Sequence, residues 1–217
     1  MNPDETFALR QAAGAPIIAA APQRAKVVDI LSRAFSDDVI MRWLLRADAG
    51  FNFALYRLID RLIGDMTIPL GHTYLASAAG IDGGAVAAWQ PPHAAGLSPG
   101  LLETLRLIPD MIRVAGLVRL PRVVAAMNAL DQHHPKHEPH FYLYFLGVDP
   151  RLQGKGVGSL ILEASLANID AQKLPCYLEN SKPRNTPLYS RYGFVAGDEF
   201  RARPDAPPFL PMWRKAR

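Results

Sequence analysis

The stretch Val148-Asp149-Pro150-Arg151-Leu152-Gln153-Gly154-Lys155-Gly156-Val157-Gly158-Ser159 concentrates residue types suited to one chemistry, the binding of an anion by main-chain amides. Gly154, Gly156 and Gly158 carry no Cβ, so backbone N–H groups can approach a ligand closely. The stretch follows an apolar run and precedes a helical one, and a helix start offers free donors and partial positive charge. Arg151 and Lys155 add full charges. Together these features predict a diphosphate cradle.

Known cradles discriminate among themselves by spacing. A Walker A loop fails twice, because Asp149 stands where its first glycine belongs and Gly156 follows Lys155 in place of Ser or Thr. A dinucleotide fingerprint fits at Gly154 and Gly156 but meets Ser159 at its sixth place. Glu179 does lie about where its ribose-binding acid belongs, so a nucleotide-dependent oxidoreductase stays open as a rival reading. Against it, too little chain follows the loop to build a dinucleotide sheet. The pattern Gln/Arg-x-x-Gly-x-Gly/Ala is met by Gln153, Gly156 and Gly158. A plain turn without a ligand is the remaining alternative, and glycines flanking exposed cations are poor choices for one.

The elements that must hold this loop follow from periodicity. Phe141 to Val148 is apolar on both alternating faces, as a covered central strand is. Leu160, Ile161, Ala164 and Ala167 define a helix reaching about Lys173, and Pro175 to Glu179 is a second apolar strand. Pro187 to Tyr192 reads as a short helix ended by Gly193, with strands near Val195 to Arg201 and Phe209 to Trp213. Upstream, Ala15 to Ala21 reads as a first strand. Helical periods follow at Pro22 to Phe35, around Met41, Trp43 and Leu44, and at Phe51 to Met66. Strands His72 to Ala79 and Ala85 to Gln90 flank the glycine-rich turn Gly80 to Gly84. Pro99 to Leu130 reads as helix broken near Pro109 and Pro121. Asp131 to His140 reads as a solvated polar loop holding His133, His134, His137 and His140. Four histidines suggest a metal by count, but Pro135 and Pro139 break helical ligand pairing, and no metal is expected. Cys176, inside an apolar strand, is expected to be a buried small hydrophobe, not a nucleophile. The order of elements predicts a single mixed α/β domain.

Composition bounds the remaining possibilities. The chain has 217 residues, 49% hydrophobic and 20% charged, which suits a globular domain. One cysteine allows no internal disulfide, and Asp4 and Glu5 stand where a signal peptide would be basic. A cytoplasmic location is therefore expected. The longest uncharged run, Gly83 to Leu102, holds three prolines and is not a membrane span. The net charge of +4 suits an anionic ligand, but no dense basic stripe with aromatics suggests nucleic acid.

The segment Phe141 to Val195 resembles the GNAT superfamily of acyl-CoA-dependent N-acetyltransferases. Leu146-Gly147-Val148-Asp149-Pro150 followed by Gln153-Gly154-Lys155-Gly156-Val157-Gly158 looks like its acetyl-CoA motif. Tyr177-Leu178-Glu179-Asn180-Ser181 and Pro183-Arg184-Asn185-Thr186-Pro187-Leu188-Tyr189-Ser190-Arg191-Tyr192-Gly193-Phe194 look like the motif after it, especially as found in puromycin N-acetyltransferase and its bacterial relatives. The resemblance implies a mixed, mostly antiparallel sheet whose two central strands are parallel and splayed, with flanking helices. It implies acetyl-CoA as co-substrate, with the pantetheine arm on backbone groups of Leu146 and Val148. The pyrophosphate would sit on amides of Gln153, Gly154, Lys155, Gly156, Val157, Gly158 and Ser159. Asn180 and Asn185 would lie along the cofactor arm, Asn185 alternatively capping the short helix. A backbone N–H near Gly147 or Val148 would face the thioester oxygen.

The implied reaction transfers an acetyl group to a primary amine of a small molecule or peptide, by direct attack in a ternary complex. Tyr189 stands at the family's position for the acid that protonates the leaving thiolate. Tyr192 is expected to be structural. Glu179 would deprotonate the amine, or is simply a surface or helix-capping carboxylate. Asp37 and Asp38 border the acceptor side or cap a helix. The segment from about 91 to 140 would cover the acceptor, since it is long for a connection between core strands. A monomer or homodimer is expected. The rival in another class is a domain of the same fold that binds acyl-CoA as a sensor or interaction module without turnover.

Overall fold

The structure, a computed structural model, describes residues 2–92, 94 and 109–217. It opens with a helix absent from the expected elements, α1 (Pro3–Gly14). Asn2 accepts from the Glu5 amide while the Glu5 carboxylate accepts from the Asn2 amide, a reciprocal cap, and Pro3 fits the first turn where no N–H is needed. The first strand, β1 (Ile17–Ile18), is shorter than the apolar run suggests. Then come α2 (Arg24–Ala34), α3 (Val39–Leu44) and α4 (Phe51–Ile59), the last continuing as a π-turn to Asp65. The hairpin is β2 (Thr73–Ala76) and β3 (Ala85–Gln90).

Residues 109–115 are helical (α5), and α6 (Leu120–His133) follows. The break lies at Gly116, whose φ of +73° suits glycine, while Pro121 sits in the first turn of α6 instead of interrupting a helix. The rest of the expected helical run, residues 99–108, lies outside the described residues. The chain closes with β4 (Phe141–Val148), α7 (Val157–Asp170), β5 (Cys176–Asn180), α8 (Thr186–Arg191), β6 (Val195–Ala196) and β7 (Leu210–Arg214). The long strand expected at Val195 to Arg201 is only β6 plus an isolated bridge between Phe200 and Phe209.

The strands form one sheet in the order β1-β2-β3-β4-β5-β7-β6, in which only the β4–β5 pair is parallel. This mixed sheet with flanking helices is the architecture expected from the element order. Alternation along β3 sends Val86 and Ala88 to a core with α2 and α4, and Ala85, Ala87 and Trp89 to a core with α1 and α7. Covered on both faces, β3 and β4 lie at the centre of the domain. Among the described residues no helix is long and apolar enough to cross a membrane.

Two irregularities shape the middle of the sheet. The β3–β4 register runs Ala88 to Phe145 and then Trp89 to Leu143, leaving Tyr144 as an extra residue. Such a bulge bends its strand. Consistent with this, β4 pairs with β5 only at Phe141–Cys176 and Tyr142–Tyr177. Beyond these pairs the strands part. Gly147 has a packing role here: a Cβ would lie 2.5 Å from Leu31 Cδ2, so its absence lets α2 close onto β4.

Candidate active site

The parting of β4 and β5 opens a cavity of about 600 Å³, lined by Leu143 to Val148, Leu178 to Lys182, the glycine loop and α8. Antiparallel pairing decides which backbone groups face it. The Asp149 amide donates to Gly84 of the β3 side, so in the unshifted register Gly147 and Phe145 also turn to β3. Leu146 and Val148 therefore present their N–H and C=O groups to the opening. The Gly147 amide does not, which leaves Val148 and Leu146 as the donors near a carbonyl bound there. The Gln153 side-chain amide donates to the Val148 carbonyl at 3.2 Å, tying the loop to the strand edge.

The loop is built as an anion cradle, with one correction to its charges. Gly154 and Gly156 have φ of +76° and +78°, and Gly156 stands at the cap of α7 with no side chain capping the helix, so its first amides stay free. Arg151 is not aimed at the cradle: its guanidinium is held by Asp149 at 2.9 Å and by Asp82, next to Arg33. A carboxylate two residues away, buried at the strand end, outcompetes the loop for it. Arg10 of α1 takes its place, donating to the Lys155 carbonyl and lying over Gly156. Lys155 reaches Thr6 of the same helix at 3.4 Å. No sequence signal in the loop itself pointed to Arg10, because its placement depends on α1 packing against α7.

Side chains on the other walls supply acid–base groups. Tyr189 on α8 and Asn185 at its cap, one turn apart, both line the cavity. Asn185 stands at the cap position but makes no capping bond. Tyr189 is buried, and desolvation, then the nearby Asp38 carboxylate, raise its pKa well above that of a free phenol. Asn180 is occupied with local structure, donating to Thr186 Oγ1 at 3.0 Å and accepting from the Lys182 amide at 3.1 Å. Tyr192 donates to the Ser159 carbonyl at 3.0 Å, tying α8 to the start of α7. Asp38 caps α3 through one oxygen, as the capping reading expects, and its other oxygen accepts from Ser181 Oγ at 2.7 Å at the wall of the cavity. Asp37 binds Lys182 at 2.6 Å, so the α2–α3 turn is clamped to the turn after β5.

Glu179 is neither a surface nor a capping carboxylate. Its side chain is 3% exposed, and burial raises its pKa to about 7, even though the hydroxyls of Tyr142 and Tyr177 favour the charged form. Its Oε1 has no hydrogen-bond partner of normal geometry.

The histidine loop departs most from expectation. His133 stacks on Phe200 and His137 tilts against Trp213, but His134 and His140 fold inward against Tyr142 and Tyr177. His140 is buried, and His134 Nδ1 lies 4.0 Å from Glu179 Oε1. Polarity made this segment read as solvated, and its proximity to Glu179 depends on α6 ending beside β5. The only near-sequence hint was His140 directly preceding an apolar strand. Cys176 is fully buried, and desolvation pushes its thiol up to about 12.

With this geometry in hand, comparisons bear on the fold and the loop. A family model described as an acetyltransferase (GNAT) domain matches residues 118–196. An uncharacterised N-acetyltransferase of Schizosaccharomyces pombe is 40% identical over 55 residues, which is 25% of this chain and 22% of that protein. Mycothiol acetyltransferase of Propionibacterium freudenreichii is 36% identical over 59 residues, 26% of this chain and 19% of that protein. The chain thus matches about a fifth of the length of these curated relatives. A Corynebacterium glutamicum structure described as histone acetyltransferase HPA2 and related acetyltransferase superposes with a TM-score of 0.67 at 27% identity, covering 93% of this chain and 97% of that one. A polyamine N-acetyltransferase of Drosophila melanogaster gives 0.59 at 15% identity over 92% and 98%, a likeness of fold. These similarities do not single out the puromycin branch.

Proposed function

We propose, from the match of residues 118–196 to a GNAT acetyltransferase domain and the geometry of the opening, that the protein moves an acetyl group from acetyl-CoA to a primary amine of a small molecule or peptide, by direct attack in a ternary complex. The observation that carries this reading is the β4–β5 opening, with amide edges on one strand, a free helix start at one end and a buried carboxylate and a phenol on its walls. The cradle from Gln153 to Ser159 suits the pyrophosphate of acetyl-CoA, with Arg10 and Lys155 adding charge. The pantetheine arm would pair with Leu146 and Val148 as an added strand does. An amide of Val148 or Leu146 would stabilise the tetrahedral oxyanion.

An amine arrives mostly as its ammonium and must lose a proton before attack. Glu179, with a pKa near 7, is a base matched to that task, because a carboxylate at the usual value would hold the proton too weakly. Tyr189 keeps its proton at neutral pH and gives it to the departing thiolate. Each transfer leaves the groups restored once Glu179 releases its proton and Tyr189 regains one from solvent. A panel of amines with acetyl-CoA, read by thiol release, tests the proposal. Release that depends on one class of amine supports it. Tight acetyl-CoA binding with no release for any amine would favour the sensor reading, and preference for NAD(H) over CoA would overturn both.

A further inference from the structure

We propose that His134 and His140 form an exit path for the proton that Glu179 removes from the acceptor, leading to a second cavity on the far side of the two rings. The idea rests on Glu179 acting as the base of acetyl transfer, and it follows from a chain of buried contacts. Glu179 Oε1 and His134 Nδ1 are both buried, both lack a hydrogen-bond partner, and lie 4.0 Å apart. A shift of about 1 Å would bring them within hydrogen-bonding distance. His134 Nε2 is 3.1 Å from His140 Nε2, and His140 Nδ1 is 2.9 Å from the Glu138 carbonyl.

The carbonyl sets the direction. It can only accept, so His140 Nδ1 carries the hydrogen and His140 Nε2 is bare. His134 must then donate through Nε2, which leaves its Nδ1 bare and facing Glu179. Every acceptor in the chain therefore points back toward the carboxylate, as an outward relay requires. The second cavity, about 350 Å³, is lined by His134, His140, Tyr142 and Gln90, while Glu179 lines the first. The two rings thus stand between the reaction space and a separate space.

The step balances as a series of transfers. The ammonium gives a proton to the Glu179 carboxylate, and the neutral amine attacks. Glu179 O–H passes its proton to His134 Nδ1, the Nε2 proton of His134 moves to His140 Nε2, and the Nδ1 proton of His140 leaves to water of the second cavity that replaces the Glu138 carbonyl as its acceptor. Glu179 returns to carboxylate, and each ring recovers its starting tautomer by exchange with water of the second cavity, which both rings line, taking a proton on the bare nitrogen and releasing the one on the other. Burial keeps both histidines neutral, His134 with a pKa of about 4, so a proton passes without being stored. The groups facing the pair are Asp131 from α6, Lys136, His137 and Glu138 from the loop, Tyr142 from β4 and Tyr177 from β5.

The test uses the full chain and the amine that the wild-type protein acetylates. His134→Ala and His140→Ala should lower kcat by roughly 10–100-fold, within the range of general acid–base effects, while acetyl-CoA KM stays unchanged. Added imidazole should restore kcat in His134→Ala, with rates following the basicity of substituted imidazoles, and the solvent deuterium effect should differ from wild type. If His134→Ala fails to fold, His134→Gln and His140→Ala decide the matter by the same readouts. Folded variants with wild-type kcat and pH profile would overturn the relay. So would a loss that imidazole does not rescue and that appears as a raised amine KM. Absence of thiol release in the wild type would instead overturn the underlying acetyl-transfer reading.

Discussion

Glu179 shows how one buried side chain links stability to chemistry. Its pKa, raised from 4.5 to about 7 by burial, means the folded protein holds a proton that the unfolded chain has already released between those values. Stability therefore falls as pH rises from about 4.5 to about 7 and stays lowered above it. Glu179→Gln keeps the shape without the charge, so it should be more stable than wild type at pH 8.5, by on the order of 3 kcal/mol, and nearly equal at pH 4.5. Denaturant titrations at both values would check this. The same variant should lose about 10²–10⁴-fold in kcat, and the wild-type kcat/KM should rise with pH through about 7. A stability difference between variant and wild type that is the same at both pH values would mean that the carboxylate is not buried in its charged form. Tyr189→Phe removes one hydroxyl from a residue whose ring packs in the core near Phe194, so the fold and CoA binding should survive. Its kcat should fall by about 10²–10⁴-fold, and less for an acyl donor with a more acidic thiol, whose thiolate leaves without a proton. An unchanged kcat with chemistry rate-limiting would make Tyr189 a core tyrosine.

At the scale of elements, the bulge and the glycine loop act together. The extra residue at Tyr144 bends β4 away from β5, and the uncapped start of α7 lies at the end of the gap this makes. An aspartate in the loop should strike the anion site directly. Gly158 is in the first turn of α7, where a Cβ would meet Val148 Cγ2 at 3.2 Å, and Gly156 holds a φ of +78° that a side chain disfavours. Gly158→Asp and Gly156→Asp should each weaken acetyl-CoA binding by several kcal/mol, at roughly 1.5–3 per charged hydrogen bond lost, with repulsion added. Calorimetric titration reads the loss. Folded variants that bind acetyl-CoA as wild type does would place the phosphates elsewhere.

At the scale of the molecule, two cores on opposite faces of one sheet leave the β4–β5 gap as the place where they diverge. One side of the gap is closed by the Asp37–Lys182 clamp, and α6 delivers His134 to the other. The described part of the long connection, residues 109–140, packs through Ala126 and Ala129 on α3 and the chain near Phe200 and Ala206, away from the glycine loop. Substitutions along it should change the KM for the amine and leave that for acetyl-CoA nearly constant. Steady-state kinetics with each substrate varied in turn distinguishes this from the opposite pattern, which would put the acceptor on the other side.

What the sequence determined by itself is local. Alternation and period set the strands β3 to β5 and helices α2, α4 and α7 to within a few residues, because each buries a face that its own pattern marks. The cradle was readable because its glycines, strand end and helix start are contiguous in the chain. Where Arg151 points, which histidines are buried and how Glu179 is desolvated were decided by tertiary structure. Arg151 is turned by Asp149 two residues away together with Asp82 far along the chain, His134 by α6 ending beside β5, and Glu179 by its burial at the junction of β5 with β4. Even α1, whose cap residues Asn2 and Glu5 stand in plain sequence, gains its role only when it packs on α7 and sets Arg10 over Gly156. Hydrophobic period reports which face of an element is buried, whereas charge and proton affinity are set by what that burial brings alongside.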